Sequence, residues 1–437
     1  MRRPHVVVLH RWRADYAHYD RYVDHEAYTV TYVTTEVGAT AVPAPAAEVV
    51  VVPATDDLAR IRKEVDALAA RHGAPRSVVA LKEDDLLVAA QVALEWNCRG
   101  RHPSELLPFR DKQLMTAAVA RAGLAVQPTA PAPHAAAVRD FARIHGWPVV
   151  VKPVASSSSE GVVVAADERD LDTVPFAEDR PLIAQAHNPH PVHHVDGVFD
   201  GRELLCWKAS RYLDSCLGFR HGSTLGSVEE DRAEVVAAVG DFALRALRAL
   251  TSSPTPFHLE VFVDAQAPSG PRVTFLEVGA RVGGAEIPYV WREVHGYDLM
   301  EAAFRIALGE EPPPWAPAPR AETAGWLLAP APAARPCRIT GVIPMTGRRP
   351  GPYAEELLRP GDVLPAADAY YEHVGGRFRF RGPDSAAVQA AVEATARDFR
   401  VTGETCETGA AGAGDVTGAA GAAGAAGAAG ATSGGTR

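Results

Sequence analysis

Two glutamates, an arginine and two lysines stand in this 437-residue chain at spacings that suit phosphate chemistry. The segment 257–284, FHLEVFVDAQAPSGPRVTFLEVGARVGG, carries Glu260 and Glu277 in two apolar runs rich in β-branched residues. Between the runs lie Pro268, Ser269, Gly270 and Pro271, the composition of a turn. A hairpin symmetric about the Pro268–Ser269 bond sets Glu260 directly opposite Glu277, with Cβ atoms about 4.5–5.5 Å apart. Like charges at that distance repel unless a cation lies between them. Opposed carboxylates in an apolar sheet suit Mg²⁺ (or Mn²⁺) held jointly with triphosphate oxygens, because Mg²⁺ takes few protein ligands. For strand glutamates in general, facing water from an edge hairpin is the commoner use. Arg281 and Gly283-Gly284 shift the balance here. The arginine fixes a cation where the chain leaves the sheet, and the glycines let backbone approach a phosphoryl group. His258 shares a strand face with Glu260, and either lines the site or serves as a hydrogen-bonded histidine of the sheet.

Lys112 opens a helix after Arg110-Asp111, and Lys152 ends the apolar strand VVVK. Directly after Lys152 comes PVASSSSEG, in which Ser156, Ser157, Ser158, Ser159 and Gly161 offer hydroxyls and free N–H groups that can fold over phosphate oxygens. A serine run by itself is more often a plain surface loop. A charge ending an apolar strand is seldom there for packing. Neither G-x-x-x-x-G-K-[ST] nor a G-x-G-x-x-G after the first strand occurs, so neither a P-loop nor a Rossmann fingerprint is expected.

These groups need elements to hold them. HVVVLH (5–10), YTVTYVTT (28–35), EVVVVP (48–53) and SVVAL (77–81) read as strands around a helix at about 56–72, an open α/β domain over residues 1–108. From Asp111 a helix carries Leu114, Met115, Ala118, Val119 and Ala122 on one face, with Gly123 as its stop. A strand at 147–154, a second at 161–165, a long helix over 231–250, strands 257–264 and 273–279 and a helix near 299–308 follow. The expected organisation is α/β (α+β): a central domain over 109–322 with a lid at about 120–190, then a small C-terminal antiparallel-sheet subdomain over 323–401. Past Thr402 the chain becomes GAAGAAGAAG, read as a disordered tail over 402–437, because such repeats bury too little to offset ordering entropy.

The composition, 47% hydrophobic and 22% charged, is that of a soluble globular chain. A net charge of −10 with no basic stripe speaks against nucleic acid, and no apolar run reaches the roughly 18 residues of a membrane span. Five cysteines without a C-x-x-C, and an N-terminus without a small-residue cleavage site, point to reduced thiols in a cytoplasm.

In order, the motifs resemble the ATP-grasp superfamily. RDKQLMTAAVARAGLAVQPT (110–129) is similar to its "DK…M…aG…P" helix, and WPVVVKPVASSSSEGV (147–162) to its lysine strand and phosphate-covering loop. FHLEVFVD, FLEVGARVGG and residues 285–310 resemble its magnesium hairpin and the helix beyond. The resemblance implies that Lys112 and Lys152 bind ATP phosphates, that Ser156–Gly161 form the closing loop, and that Glu260 and Glu277 hold magnesium. Arg281 would steady the γ-phosphoryl group. The adenine hinge would lie in LIAQAHNPHPVHHVDG (182–197), with backbone of Ala186, His187 and Asn188 on the base. Here the chain departs from the family. Gln185 stands at the first hinge acid and Val192 where the second is expected, which leaves Gln185 or His193 for the ribose. Gly279 replaces a frequent metal-binding asparagine, and E-V-G-A-R together with HVDGVFDGREL (194–204) resembles the branch with dipeptide-forming amino-acid ligases.

The implied activity is an ADP-forming ligation of a small carboxylate to an amine through an acyl phosphate. Arg211, Arg220, His221, His258, Gly283 and Gly284 are candidates for the substrate pocket, and a homodimer is compatible with the pattern. The alternatives are a carboxylase-type ATP-grasp enzyme and a nucleotide-binding protein without catalysis. The serine-rich loop and the joint presence of Lys152, Glu260, Glu277 and Arg281 disfavour both.

Overall fold

The computed structural model describes residues 3–12, 16–316, 322–366 and 374–406. The β-branched run His5–His10 (β1) is buried along its whole length, as a strand inside a parallel sheet must be. It lies between β2 (Thr29–Thr34) and β4 (Pro75–Ala80), with β3 (Glu48–Val51) at the edge beyond β2. Helix Leu58–His72 turns Ile61, Val65, Leu68 and Ala69 to this sheet, its first turn capped by the Asp57 carboxylate and its end marked by Gly73 at φ 97°.

A second sheet, ordered β5-β8-β6-β7, is formed by Thr129–Pro131 (β5), Val149–Pro153 (β6), Val163–Ala165 (β7) and Leu182–Ala186 (β8). Helix Ala135–His145 packs Val138, Phe141 and Ala142 against Val149, Val151 and Ala184. This small layer carries Lys152 near its rim.

The largest sheet is antiparallel throughout and starts with Val192–Phe199 (β9), Leu204–Tyr212 (β10), Leu225–Glu229 (β11), Thr255–Asp264 (β12), Arg272–Gly279 (β13) and Thr323–Pro330 (β14). Beyond them, Cys337–Val342 (β15), Ala354–Leu357 (β16), Val363–Leu364 (β17), Val374–Gly382 (β18) and Val401–Thr405 (β19) complete the strands. The order is β13-β12-β9-β10-β11-β14-β18-β16, and β17-β15-β19 form a three-stranded sheet.

Two expectations change here. Residues 323–401 are divided between two sheets: β15 and β17 join β19 in the small one, and the rest do not stand apart from the central sheet. The pairs Leu225↔Leu328 and Val228↔Gly325 zip β14 onto β11, so β14, β18 and β16 extend the central sheet. Nor does order end at Thr402. Residues Thr402–Thr405 belong to β19, which pairs with β15 and helps cover Cys337 and Ile339. A threonine-bearing strand is specified by its partner's hydrogen bonds and needs little apolar content of its own. The Gly/Ala repeat from residue 407 on lies outside the described residues.

Each face of the central sheet has its own cover. Phe257, Leu259, Val261 and Val195 pack under helices Ala233–Leu250 and Lys112–Arg121. Val198, Leu225, Trp326 and Leu328 pack under helices Ile287–Val294 and Leu299–Ala307, which reach on to Tyr32 and Val8 of the first sheet. The side chains that alternate with the first set therefore face the junction of the layers. No described helix is long and apolar enough to cross a membrane, and all five cysteines are free.

Candidate active site

Glu260 pairs with Glu277 across β12 and β13, as the turn chemistry predicts, but the route differs. The outer rungs, Asp264↔Arg272 to Val261↔Phe275, are centred on Pro268 rather than on the Pro268–Ser269 bond. The register shifts between Val261 and Glu260, so that Leu276 is the extra residue of a β-bulge. The bulge restores the pairing of the two acids where an unbroken ladder would have missed it. A side chain 39% exposed leaves Glu277 open to a ligand, whereas Glu260 is mostly covered.

Lys112 comes to this pair from its helix, whose first turn is capped by Asp111 accepting from the Gln113 and Leu114 N–H groups. The helix buries Lys112, Met115 and Val119, while the expected face residues Leu114 and Ala122 are exposed. Lys112 Nζ lies 3.7 Å from Glu277 Oε2 and donates to the Ser156 carbonyl at 3.2 Å. Lys152 is 4% exposed. Burial pulls its ammonium below the usual lysine range, Glu277 and Glu260 counter that, and Lys112 adds to it. Two lysines and two glutamates thus act on one another across one space.

Arg281 is held by a partner that sequence reasoning missed. Its Nε donates to Glu83 Oε2 at 2.9 Å, and Arg110 Nη1 pairs with Glu83 Oε1 at 2.7 Å. Burial pushes the Glu83 carboxyl up, but Arg281 and Arg110 outweigh it and hold the group below its ordinary range. The next residue, Asp84, pairs with Lys82 and Arg110 and accepts from Ser157 Oγ at 3.3 Å. The turn after β4, written LKEDD, is the available signal: three acids closing an apolar strand.

Ser158 and Ser159 hold left-handed φ values of 54° and 56°, followed by Gly161 at 70°. This conformation folds the loop back over the end of β6, and Arg220 Nη1 donates to the Ser158 carbonyl at 3.3 Å. Between loop and hairpin lies a cleft lined by Glu83, Lys112, Ser156, His258, Glu277 and Arg281. Its oxygen-only acids suit a hard divalent cation, and its cations suit phosphate.

Three expected residues are placed elsewhere, whereas Gln185, inside β8, stays on the Lys152 face of the second sheet and donates to Thr129 Oγ1 at 3.3 Å. His193 alternates with His194 on β9 and so faces away from Glu260, its Nε2 3.3 Å from Glu230 Oε2. Arg211 lies on that same far face and donates to Gln389 Oε1 at 2.8 Å. His221 is exposed just past helix Cys216–Arg220. In the hinge, the Ala186 N–H is committed to the Pro128 carbonyl, while His187 and Asn188 lie between β8 and β9, with Asn188 Oδ1 accepting from the His190 N–H.

Behind Glu260 stands a second group, of which only His258 was among the expected site residues. His194 and Asp196 share a face of β9 with His258 and Glu260 of β12, and Tyr212 of β10 reaches Glu260 Oε1 at 2.9 Å. Burial lowers the His258 pKa and Arg281 adds to that, but the Asp196 charge together with hydrogen bonding to Asp196 and Glu260 outweighs both, and the net position is about 9. For Glu260, burial raises the carboxyl pKa and His258 and Tyr212 together bring it below the usual range. The alternating H-x-D and H-x-E of the two strands was the signal for this group.

Comparison with known proteins places this geometry. No protein-family model matches the chain. An L-amino acid ligase from Bacillus licheniformis superposes with a TM-score of 0.68 at 17% identity, over 92% of this chain and 99% of that one. The chain has the ATP-grasp fold. The same ATP-grasp architecture matches N5-carboxyaminoimidazole ribonucleotide synthetase from Thermotoga maritima (TM-score 0.66, 14% identity, 92% and 100% covered). Biotin carboxylase from Campylobacter jejuni matches with a TM-score of 0.62 at 16% identity, over 91% of this chain and 92% of that one. In sequence, 149 residues are 36% identical to carnosine synthase 1 of Gallus gallus, 33% of this chain but 15% of that protein.

Proposed function

We propose that the chain is an ADP-forming ligase that joins a small carboxylate, such as an amino acid, to an amine through an acyl phosphate. The observation that carries this reading is the convergence of Glu277, Lys112 and Arg281 on one cleft beneath a serine loop, with Glu260 on the same rung as Glu277. The names of two matched proteins, an L-amino acid ligase and a carnosine synthase, support an amino-acid substrate.

Lys112 and Lys152 bind the phosphate chain, and burial of Lys152 keeps its charge unscreened by water. Ser156–Gly161 cover the phosphates and exclude water that would hydrolyse the mixed anhydride. A divalent cation on Glu260 and Glu277 supplies charge neutralisation at the phosphate oxygens. Arg281, anchored through Nε to Glu83 and through Nη1 to the Val282 carbonyl, keeps the N–H groups left over oriented toward the transferring phosphoryl group and costs no reorganisation as charge builds. The substrate carboxylate attacks the γ-phosphorus, ADP leaves, and the amine then displaces phosphate from the acyl carbon.

Phosphate release from Mg-ATP, screened over pairs of amino acids, identifies the substrates. With an ¹⁸O-labelled carboxylate, one label must appear in inorganic phosphate. Label in AMP with release of pyrophosphate overturns the reading. Phosphate release that depends on bicarbonate instead of an amine replaces it with the carboxylase alternative.

A further inference from the structure

The cluster behind Glu260 forms an unbroken polar chain across three strands. Ser227 Oγ lies 2.7 Å from His194 Nε2, and His194 Nδ1 lies 2.6 Å from Asp196 Oδ2. Asp196 Oδ1 lies 2.8 Å from His258 Nδ1, and His258 Nε2 lies 3.4 Å from Glu260 Oε1. Asp196 can only accept, so each histidine donates to it from Nδ1. His194 Nε2 is then free to accept from the Ser227 hydroxyl. The His258 ring edge at 3.4 Å and the Tyr212 hydroxyl, which donates at 2.9 Å, both lie against Oε1 of Glu260 and leave Oε2 as the oxygen for a cation.

A second contact ties the chain to Arg281. A Cβ on Gly283 would overlap Asp196 Oδ1 and come within 2.9 Å of His258 Nδ1. The glycine is required because the backbone leading from Arg281 rests on the Asp196–His258 pair.

We infer that Asp196 is a positioning residue of the nucleotide site: through His258 it selects the metal-facing oxygen of Glu260, and through Gly283 it seats the segment that carries Arg281. This role rests on the ligase reading. It assigns one buried carboxylate to two parts of the machinery that lie on different strands.

The test titrates Mn²⁺ by electron paramagnetic resonance into the full chain with and without a non-hydrolysable ATP analogue. Asp196→Asn is nearly isosteric but cannot accept from both histidines. Its Mn²⁺ affinity in the analogue complex should fall about 10–100-fold, while metal-free affinity for the analogue stays within about twofold. Gly283→Ala should weaken Mn²⁺ binding in the same direction, and His258→Gln carries the first arm if Asp196→Asn does not fold. Folded variants that match the wild type in Mn²⁺ affinity overturn the inference alone. A wild type that binds no Mn²⁺ with the analogue overturns the ligase reading and this inference with it. His194, Asp196 and His258 also present ligand atoms within 4.8 Å of one another. Mn²⁺ held without nucleotide and lost in Asp196→Asn would make the trio a metal site and overturn the positioning role.

Discussion

The carboxylate hairpin and the β8–β9 hinge are built on opposite plans. In the hairpin the chemistry sits on ladder positions: Glu260 and Glu277 occupy one rung, and every second residue of β12 goes to the core. In the hinge the polar side chains are tied to neighbours, Gln185 to Thr129 on the Lys152 face and His193 to Glu230 on the far face of β9. One region works through side chains fixed opposite one another on a rung. The other offers a ligand chiefly the short stretch between two strands. Substitutions should therefore be severe in the first and mild for catalysis in the second.

The largest effects belong to the hairpin. Glu260→Gln and Glu277→Gln should each lower turnover by at least about a hundredfold with the fold intact, because each removes charge facing the phosphates. Near-wild-type phosphate release in both would erase the contrast. Arg281→Ala should cut kcat by about 10²–10³ while binding ATP almost normally, since its contact strengthens as charge develops. Glu83→Gln should lower kcat less, by roughly tenfold, because the arginine survives and only its tether is weakened. At the hinge, His193→Ala should cost only about 1 kcal/mol of stability, because Arg232 still pairs with both oxygens of the Glu230 carboxylate. The KM for ATP should stay within about twofold. A tenfold rise would return His193 to the ribose and break the comparison. The smallest effect lies outside both regions. Truncation after Arg400 should lower Tm by a few degrees relative to truncation after Cys406, because it removes β19 from Cys337 and Ile339.

What could be read from the amino acids follows from these two plans. Period-two alternation exposed β12, and the Pro-Ser-Gly-Pro turn set the partner of Glu260. The bulge at Leu276 could not be seen, because it leaves no residue type behind. Lys112 and Lys152 were legible as charges at the ends of apolar elements. Glu83 and Asp84 were marked only as acids closing β4 in LKEDD; that Glu83 meets Arg281, 198 positions away, could not be read locally. His193 and His194 are chemically identical neighbours. Only the pairing of β9 with β12 decides that one joins Asp196 and the other Glu230. β19 escaped notice for a related reason, its strand character lying in β15 rather than in its own composition.

The tether between Glu83 and Arg281 has a consequence for modular exchange. The arginine belongs to the central domain and its anchor to the N-terminal one, so neither carries the complete device. Recombination that imported a foreign N-terminal domain, however well packed, would leave the guanidinium unaligned unless the newcomer placed an acid just after its fourth strand. The two parts should therefore be inherited together, by the apolar core they share and by polar ties of which the Glu83–Arg281 pair reaches furthest into the site.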